Sequence, residues 1–203
     1  MNVKRLSEVQ LDALKEVANI GSGHAATALS KLLGKKIMIR VPKIITGTLN
    51  EILSETTDSN DVIASVFLNF LGDLTGRTLI LFPYAEIQDI FGLLIPEKPD
   101  NPSEFKESLL KEVSNILSCS YMNALGELLG LTITPTVPGI SIDIGKALLS
   151  NDSFKFNREN EFILCIETEF DFGDDIKPVI AYFLLISDTE SLELILKKLD
   201  LIK

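Results

Sequence analysis

Two segments of this chain repeat one another. DALKEVANIGSGHAATALSKLLGKKIMIRVPKI, Asp12 to Ile44, aligns without gaps on SLLKEVSNILSCSYMNALGELLGLTITPTVPGI, Ser108 to Ile140, at an offset of 96 with 16 of 33 positions identical. A chain made of two copies of one unit has to bury the same apolar face twice. The simplest arrangement relates the copies by a pseudo-twofold axis. The rest of each half follows the same plan more loosely. Val62 to Phe70 matches Phe162 to Phe170, each runs into a polar turn (GDLTG, DFGDD), and a second apolar strand and a short helix follow, near Tyr84 to Leu94 and Thr189 to Leu199. The second half is longer around Gly145 to Asn160, which reads as an extended loop. Pro96, Pro99 and Pro102 fall within seven residues between the halves, so residues 96–102 read as a linker joining repeats of about 7–95 and 102–200 in a single domain of residues 1–203.

Helix signals open both copies. Ser7 with Gln10 makes a capping box, and Leu6 with Leu11 suits the hydrophobic staple around it. Asn101-Pro102-Ser103-Glu104 supplies a cap, a proline at the first helical position and a glutamate at the third. Each helix then runs about 25 residues to a glycine stop, Gly34 or Gly130. Short β-type runs follow at Ile37 to Val41, Ile44 to Leu49, Ile133 to Val137 and Ile140 to Ile144. The expected fold is therefore mixed α/β (α+β), with a mostly antiparallel central sheet and two long helices packed on it.

Composition narrows the function. A formal net charge of −10 opposes a nucleic-acid or anionic-membrane surface. The apolar runs are short of the roughly 18 to 20 residues of a membrane helix, and charges interrupt the first twenty residues, so neither membrane insertion nor a signal peptide is expected; the reading is cytoplasmic. Two cysteines and one histidine exclude a disulfide framework and a thiolate or histidine metal cage, and make a Ser-His-Asp triad a poor fit.

The long helices carry the chemistry. In the first, Leu11, Leu14, Val17, Ala18, Gly21, Ala25, Leu29 and Leu32 recur at three- and four-residue steps and read as the core face. Asp12, Glu16 and Asn19 fall on the outer face within about 60° of arc. The second helix repeats this with Ser108, Glu112 and Asn115 beside Leu109, Val113, Ile116 and Leu128, and Pro42 or Pro138 follows each asparagine after 22 intervening residues. Read singly, an exposed glutamate is a solvated residue and an asparagine a weak helix former. Outer faces drift freely, however, and here both outer residues survive in both copies.

The pattern (D or S)-x3-E-x2-N-x22-P resembles the signature of the CheC/CheX/FliY family of chemotaxis phosphatases, and both copies fit it fully: Asp12, Glu16, Asn19, Pro42 and Ser108, Glu112, Asn115, Pro138. Two complete motifs within 203 residues resemble the CheC-type members, over essentially the whole chain. The resemblance implies a CheC-like, internally duplicated fold and, as substrate, the aspartyl-phosphate of a CheY-type response regulator. It implies no cofactor of the chain's own, because the regulator brings Mg²⁺ and a lysine. It further implies that Asn19 and Asn115 hold the attacking water while Glu16 and Glu112 pair with that lysine. A carboxamide suits the role, since its oxygen accepts from water and its NH₂ donates, whereas a carboxylate would repel the phosphoryl oxygens.

Asp12 and Ser108 would act at the rim of each site or simply favour the helix start, and Pro42 and Pro138 would fix the strand exit. Lys15 and Lys111 read as solvated. Gly21-Ser22-Gly23 and Ser118-Cys119-Ser120 read as close-packing runs, with His24, Cys119 and Cys165 in the core or at its boundary. The resemblance also implies CheD, the receptor deamidase, as a partner whose binding would add to catalysis; the competing reading is a non-catalytic adaptor that binds CheD or the flagellar switch.

Overall fold

The computed structural model describes residues 6–57, 60–94, 100–145, 161–173 and 176–199. The first half runs α1 (Glu8–Leu33), β1 (Met38–Arg40), β2 (Ile44–Gly47), α2 (Leu49–Thr56), β3 (Val62–Gly72), β4 (Gly76–Pro83) and α3 (Tyr84–Leu94). The second runs α4 (Pro102–Leu129), β5 (Ile133–Pro135), β6 (Gly139–Ile144), β7 (Glu161–Asp171), β8 (Val179–Asp188) and α5 (Thr189–Lys198). Most of the expected linker and most of the Gly145 to Asn160 loop lie outside the described residues.

Both long helices start and stop where their end signals stand. The Gln10 backbone N–H donates to Ser7 Oγ at 3.3 Å, and the Ser7 N–H donates to Gln10 Oε1 at 2.8 Å. Asn101 caps α4, with Pro102 in its first turn. Gly34 and Gly130 close the helices at φ 63° and 65°, a left-handed geometry that glycine adopts without a Cβ penalty.

The described strands form one antiparallel sheet. Its four long strands lie in the order β7-β8-β4-β3, and the two halves meet where β4 pairs with β8, Leu79 opposite Leu184. The short strands cross over. β1 and β2 of the first repeat pair with β7 of the second, placing Ile39 opposite Phe170 and Ile45 opposite Cys165. Reciprocally, β5 and β6 pair with β3, placing Leu71 opposite Thr134 and Ser65 opposite Ser141. The repeats are therefore interlocked, which the alignment of the two copies did not announce. Pro42 falls between β1 and β2 and Pro138 between β5 and β6. Proline has no N–H to give a ladder, so it suits the step between two short strands on one neighbour.

Alternate residues of the long strands face two separate cores. Ala64, Val66, Phe70, Ile80, Leu164, Ile166, Phe183 and Leu185 join the larger core beneath α1, α4, α3 and α5. Ile63, Leu79, Leu81, Ile163, Cys165, Leu184 and Ile186 form the second core with Ile52 and Leu53 of α2. With apolar cover on both faces, these strands read as continuous apolar runs rather than as alternating ones.

Three expectations need correction. Residues 49–56 form a helix where the sequence reading had only a strand ending at Leu49; Thr48 and Glu51 make a capping box, with the Thr48 N–H donating to Glu51 Oε2 at 2.8 Å. The buried face of α4 is turned by about one residue from the expected one. Leu110, Ser114, Leu117, Ser118, Tyr121 and Leu125 are buried, while Leu109, Val113 and Ile116 are only partly so. Two fully buried serines disguised that face: Ser118 Oγ lies 3.1 Å from Thr78 Oγ1, a bond that an apolar pattern cannot signal. Finally, Leu32 and Leu128, expected in the core, are 47% and 53% exposed near the ends of their helices, and His24 is exposed on α1.

The two long helices cross at close quarters. A Cβ on Gly21 would stand 2.4 Å from Tyr121 Cδ1 and 3.0 Å from Tyr121 Cα. Next to this contact, Ser22 Oγ and Tyr121 Oη are 2.9 Å apart, and Tyr121 Oη lies 3.3 Å from Thr168 Oγ1. A buried phenol has found its polar partners.

Candidate functional site

The site begins with the helix that carries it. Because α1 turns Leu14, Val17, Ala18, Gly21, Ala25 and Leu29 inward, Asp12, Glu16 and Asn19 stand on its opposite side, all exposed. Residues three apart on a helix have Cβ atoms about 5–6 Å apart, so the Glu16 carboxylate and the Asn19 amide can enter one pocket together. Among the described residues, neither side chain is held by a hydrogen bond or an ion pair. Both remain available to another molecule.

Pro42 lies close to this stripe. Lys15, beside Glu16, sends Nζ to the Pro42 carbonyl oxygen at 3.1 Å and so ties α1 to the step between β1 and β2. This corrects the reading of Lys15 as merely solvated. Among the described residues Lys111 makes no such bond.

On α4, Ser108 and Glu112 are exposed, and Asn115 and Pro138 are half-buried. Asn115 is engaged: the Cys119 thiol, one turn further on, donates to Asn115 Oδ1 across 3.7 Å. Burial, followed by the Glu112 carboxylate, pushes the Cys119 thiol above its ordinary range, so it keeps the proton that it donates. The position corresponding to Cys119 in the first copy is Gly23, around which a Cβ would meet nothing within 4 Å. The two stripes thus have the same polar pattern and different surroundings. Sequence reasoning placed Cys119 in the core or at its boundary and missed its contact with Asn115.

Two crevices, one lined by Leu29, Phe82, Leu110 and Phe170 and the other by Leu14, Tyr121, Ile166 and Phe183, lie beneath the helices among core residues and include no stripe residue. Among the described residues no cluster of three His, Cys, Asp or Glu could hold a metal ion. No described helix is long and apolar enough to cross a membrane. Glu16 and Asn19 are exposed to solvent, as is Glu112, while Asn115 is half-buried.

Comparison with known proteins agrees with this architecture. Residues 9–46 and 105–142 each match the CheC-like family. The chain is 31% identical to the CheY-P phosphatase CheC of Bacillus subtilis (strain 168) over 93% of its own length and 92% of that protein's. Thermotoga maritima FliY shares the fold at a TM-score of 0.77 with 22% identity, over 96% of this chain and 98% of that one. The FliM middle domain from H. pylori shares it at 0.60 with 16% identity, over 95% and 99%.

Proposed function

Because this chain belongs to the CheC-like family, we propose that it hydrolyses the aspartyl-phosphate of a CheY-type chemotaxis response regulator, using the outer faces of α1 and α4 as two separate sites. The observation that carries this reading is the pair of stripes, Glu16 with Asn19 exposed on α1 and exposed Glu112 with half-buried Asn115 on α4, each a carboxylate and a carboxamide one turn apart.

In the proposed reaction the regulator contributes the phosphorylated aspartate, its Mg²⁺ and its lysine. These already neutralise charge on the transferring phosphoryl group, so positioning a water in line with the scissile P–O bond is what remains. Asn19 or Asn115 does this by accepting a hydrogen bond from the water through Oδ1 while its NH₂ donates nearby. The water oxygen bonds to phosphorus as the bond to the aspartyl oxygen breaks, and inorganic phosphate leaves. Glu16 or Glu112 pairs with the regulator's lysine and seats the helix. Asp12 and Ser108 lie one turn before the glutamates, at the rim of the contact, and Pro42 and Pro138 serve the strand steps described above. A hundredfold acceleration requires about 3 kcal/mol, within reach of one ordered water.

The test is the decay of a phosphorylated response regulator with wild-type protein and with Asn19→Ala/Asn115→Ala. Loss of acceleration in a variant that keeps its circular dichroism and melting temperature is the expected result. Undiminished acceleration would remove asparagine from the reaction. The second reading is an adaptor for a CheD deamidase or for the flagellar switch, and the fold shared with the FliM middle domain speaks for the switch alone. It predicts no acceleration by the wild-type protein at all.

A further inference from the structure

Resting on the reading of Asn19 and Asn115 as the water-holding amides, we infer that the two sites are unequal and that the residue one turn beyond each asparagine, Cys119 or Gly23, sets the difference. In the second site Glu112, Asn115 and Cys119 follow one another at steps of three and four along one face of α4, and the Cys119 thiol donates to Asn115 Oδ1 at 3.7 Å. Helical side chains lean back toward the N-terminus, which brings Cys119 onto the amide rather than away from it. The bond consumes one lone pair of Oδ1 and selects one orientation of the amide; the second lone pair remains for water. In the first site Asn19 is exposed, and Gly23, which has no side chain, offers the Asn19 amide no donor one turn further on.

Cys119 is thus a positioning residue. It prepays part of the ordering of Asn115, and that saving appears in turnover rather than in docking, because it concerns the orientation of the reacting water and not the contact surface. Thiol-to-oxygen hydrogen bonds are weak, so the effect is about two- to threefold in kcat. Among the differences between the sites, this one lies in a single residue and can be transferred.

The experiment uses full-length protein with one site active at a time and a phosphorylated response regulator as substrate. With Asn19→Ala as background, Cys119→Ala is expected to lower kcat about two- to threefold at unchanged KM, and Cys119→Ser, which restores a donor, to recover it. With Asn115→Ala as background, Gly23→Cys is expected to raise kcat. Unchanged kcat in Cys119→Ala, a change confined to KM, failure of serine to recover the rate, or an equal loss when Asn115 is already alanine would each overturn the inference. A second measurement needs no catalysis: the side-chain amide resonances of Asn115 should shift in Cys119→Ala while those of Asn19 stay in place. If the wild-type protein accelerates nothing, the phosphatase reading falls, whereas the resonances still decide whether Cys119 holds the amide.

Discussion

Gly21 and Gly23 lie two residues apart in the middle of α1, and helix propensity alone treats them alike: alanine at either should stabilise the helix by about 1 kcal/mol. The structure separates them. A Cβ at Gly23 meets nothing within 4 Å, so Gly23→Ala should gain most of that amount. At Gly21 the Cβ would lie 2.4 Å from Tyr121 Cδ1 and 3.0 Å from Tyr121 Cα. Ring rotation can relieve the first clash, but the second is with backbone and yields only if α1 and α4 separate by several tenths of an ångström. Overpacking of this kind costs about 1–3 kcal/mol. The same separation stretches the Ser22–Tyr121 and Tyr121–Thr168 bonds, now 2.9 and 3.3 Å. After the propensity gain is subtracted, Gly21→Ala should be less stable than wild type by up to about 2 kcal/mol. The two variants should therefore differ by about 1–3 kcal/mol, with Gly23→Ala the more stable. Urea unfolding followed by circular dichroism, with an unchanged slope, measures both. If Gly21→Ala is as stable as Gly23→Ala, the helices do not meet as closely as described.

Three other outcomes can be checked. Asn19→Asp/Asn115→Asp should dephosphorylate the regulator no better than the alanine pair, because the added carboxylates repel the phosphoryl oxygens; robust turnover would contradict water positioning by an amide. Glu16→Gln/Glu112→Gln should raise KM about two- to fivefold, as expected for exposed ion pairs worth under about 1 kcal/mol, and should flatten the rise of KM with salt that such pairs would give the wild-type protein; a loss confined to kcat would refute docking through the carboxylates. Cys165, buried in the second core, has its thiol pushed from 9.0 up to about 12, first by burial and then by Glu167 and Glu55. Between those values the unfolded chain has lost a proton that the folded one retains, so the contribution of Cys165 to stability falls as pH rises, by about 1.4 kcal/mol per pH unit. Urea midpoints from pH 8 to 11 should accordingly fall less steeply in Cys165→Ala; parallel curves would refute the assignment.

Local signals carried most of what the sequence revealed. The capping box at Ser7, the glycine stops at Gly34 and Gly130, and the outward placement of Glu16, Asn19 and Glu112 each depend on residues within a turn or two of one another, where helical geometry converts spacing directly into position. The Thr48-x-x-Glu51 box was equally local and was passed over beneath a strand-like run. Ser114 and Ser118 concealed the true buried face of α4, since their neighbours in the fold, and not their own polarity, determine where they sit.

The repeat by itself determined that two similar helices and a shared sheet would form, and which side chains each helix would turn outward. Only the tertiary structure decided that β1 and β2 lie on β7 while β5 and β6 lie on β3, that α2 covers the second face, and that one asparagine is held by a thiol while its twin is free. The physical reason is that backbone N–H and C=O groups are the same in every strand. Pairing between segments more than a hundred residues apart, such as Arg40 with Glu169, is selected by how two whole repeats pack together and has no local residue pattern to announce it.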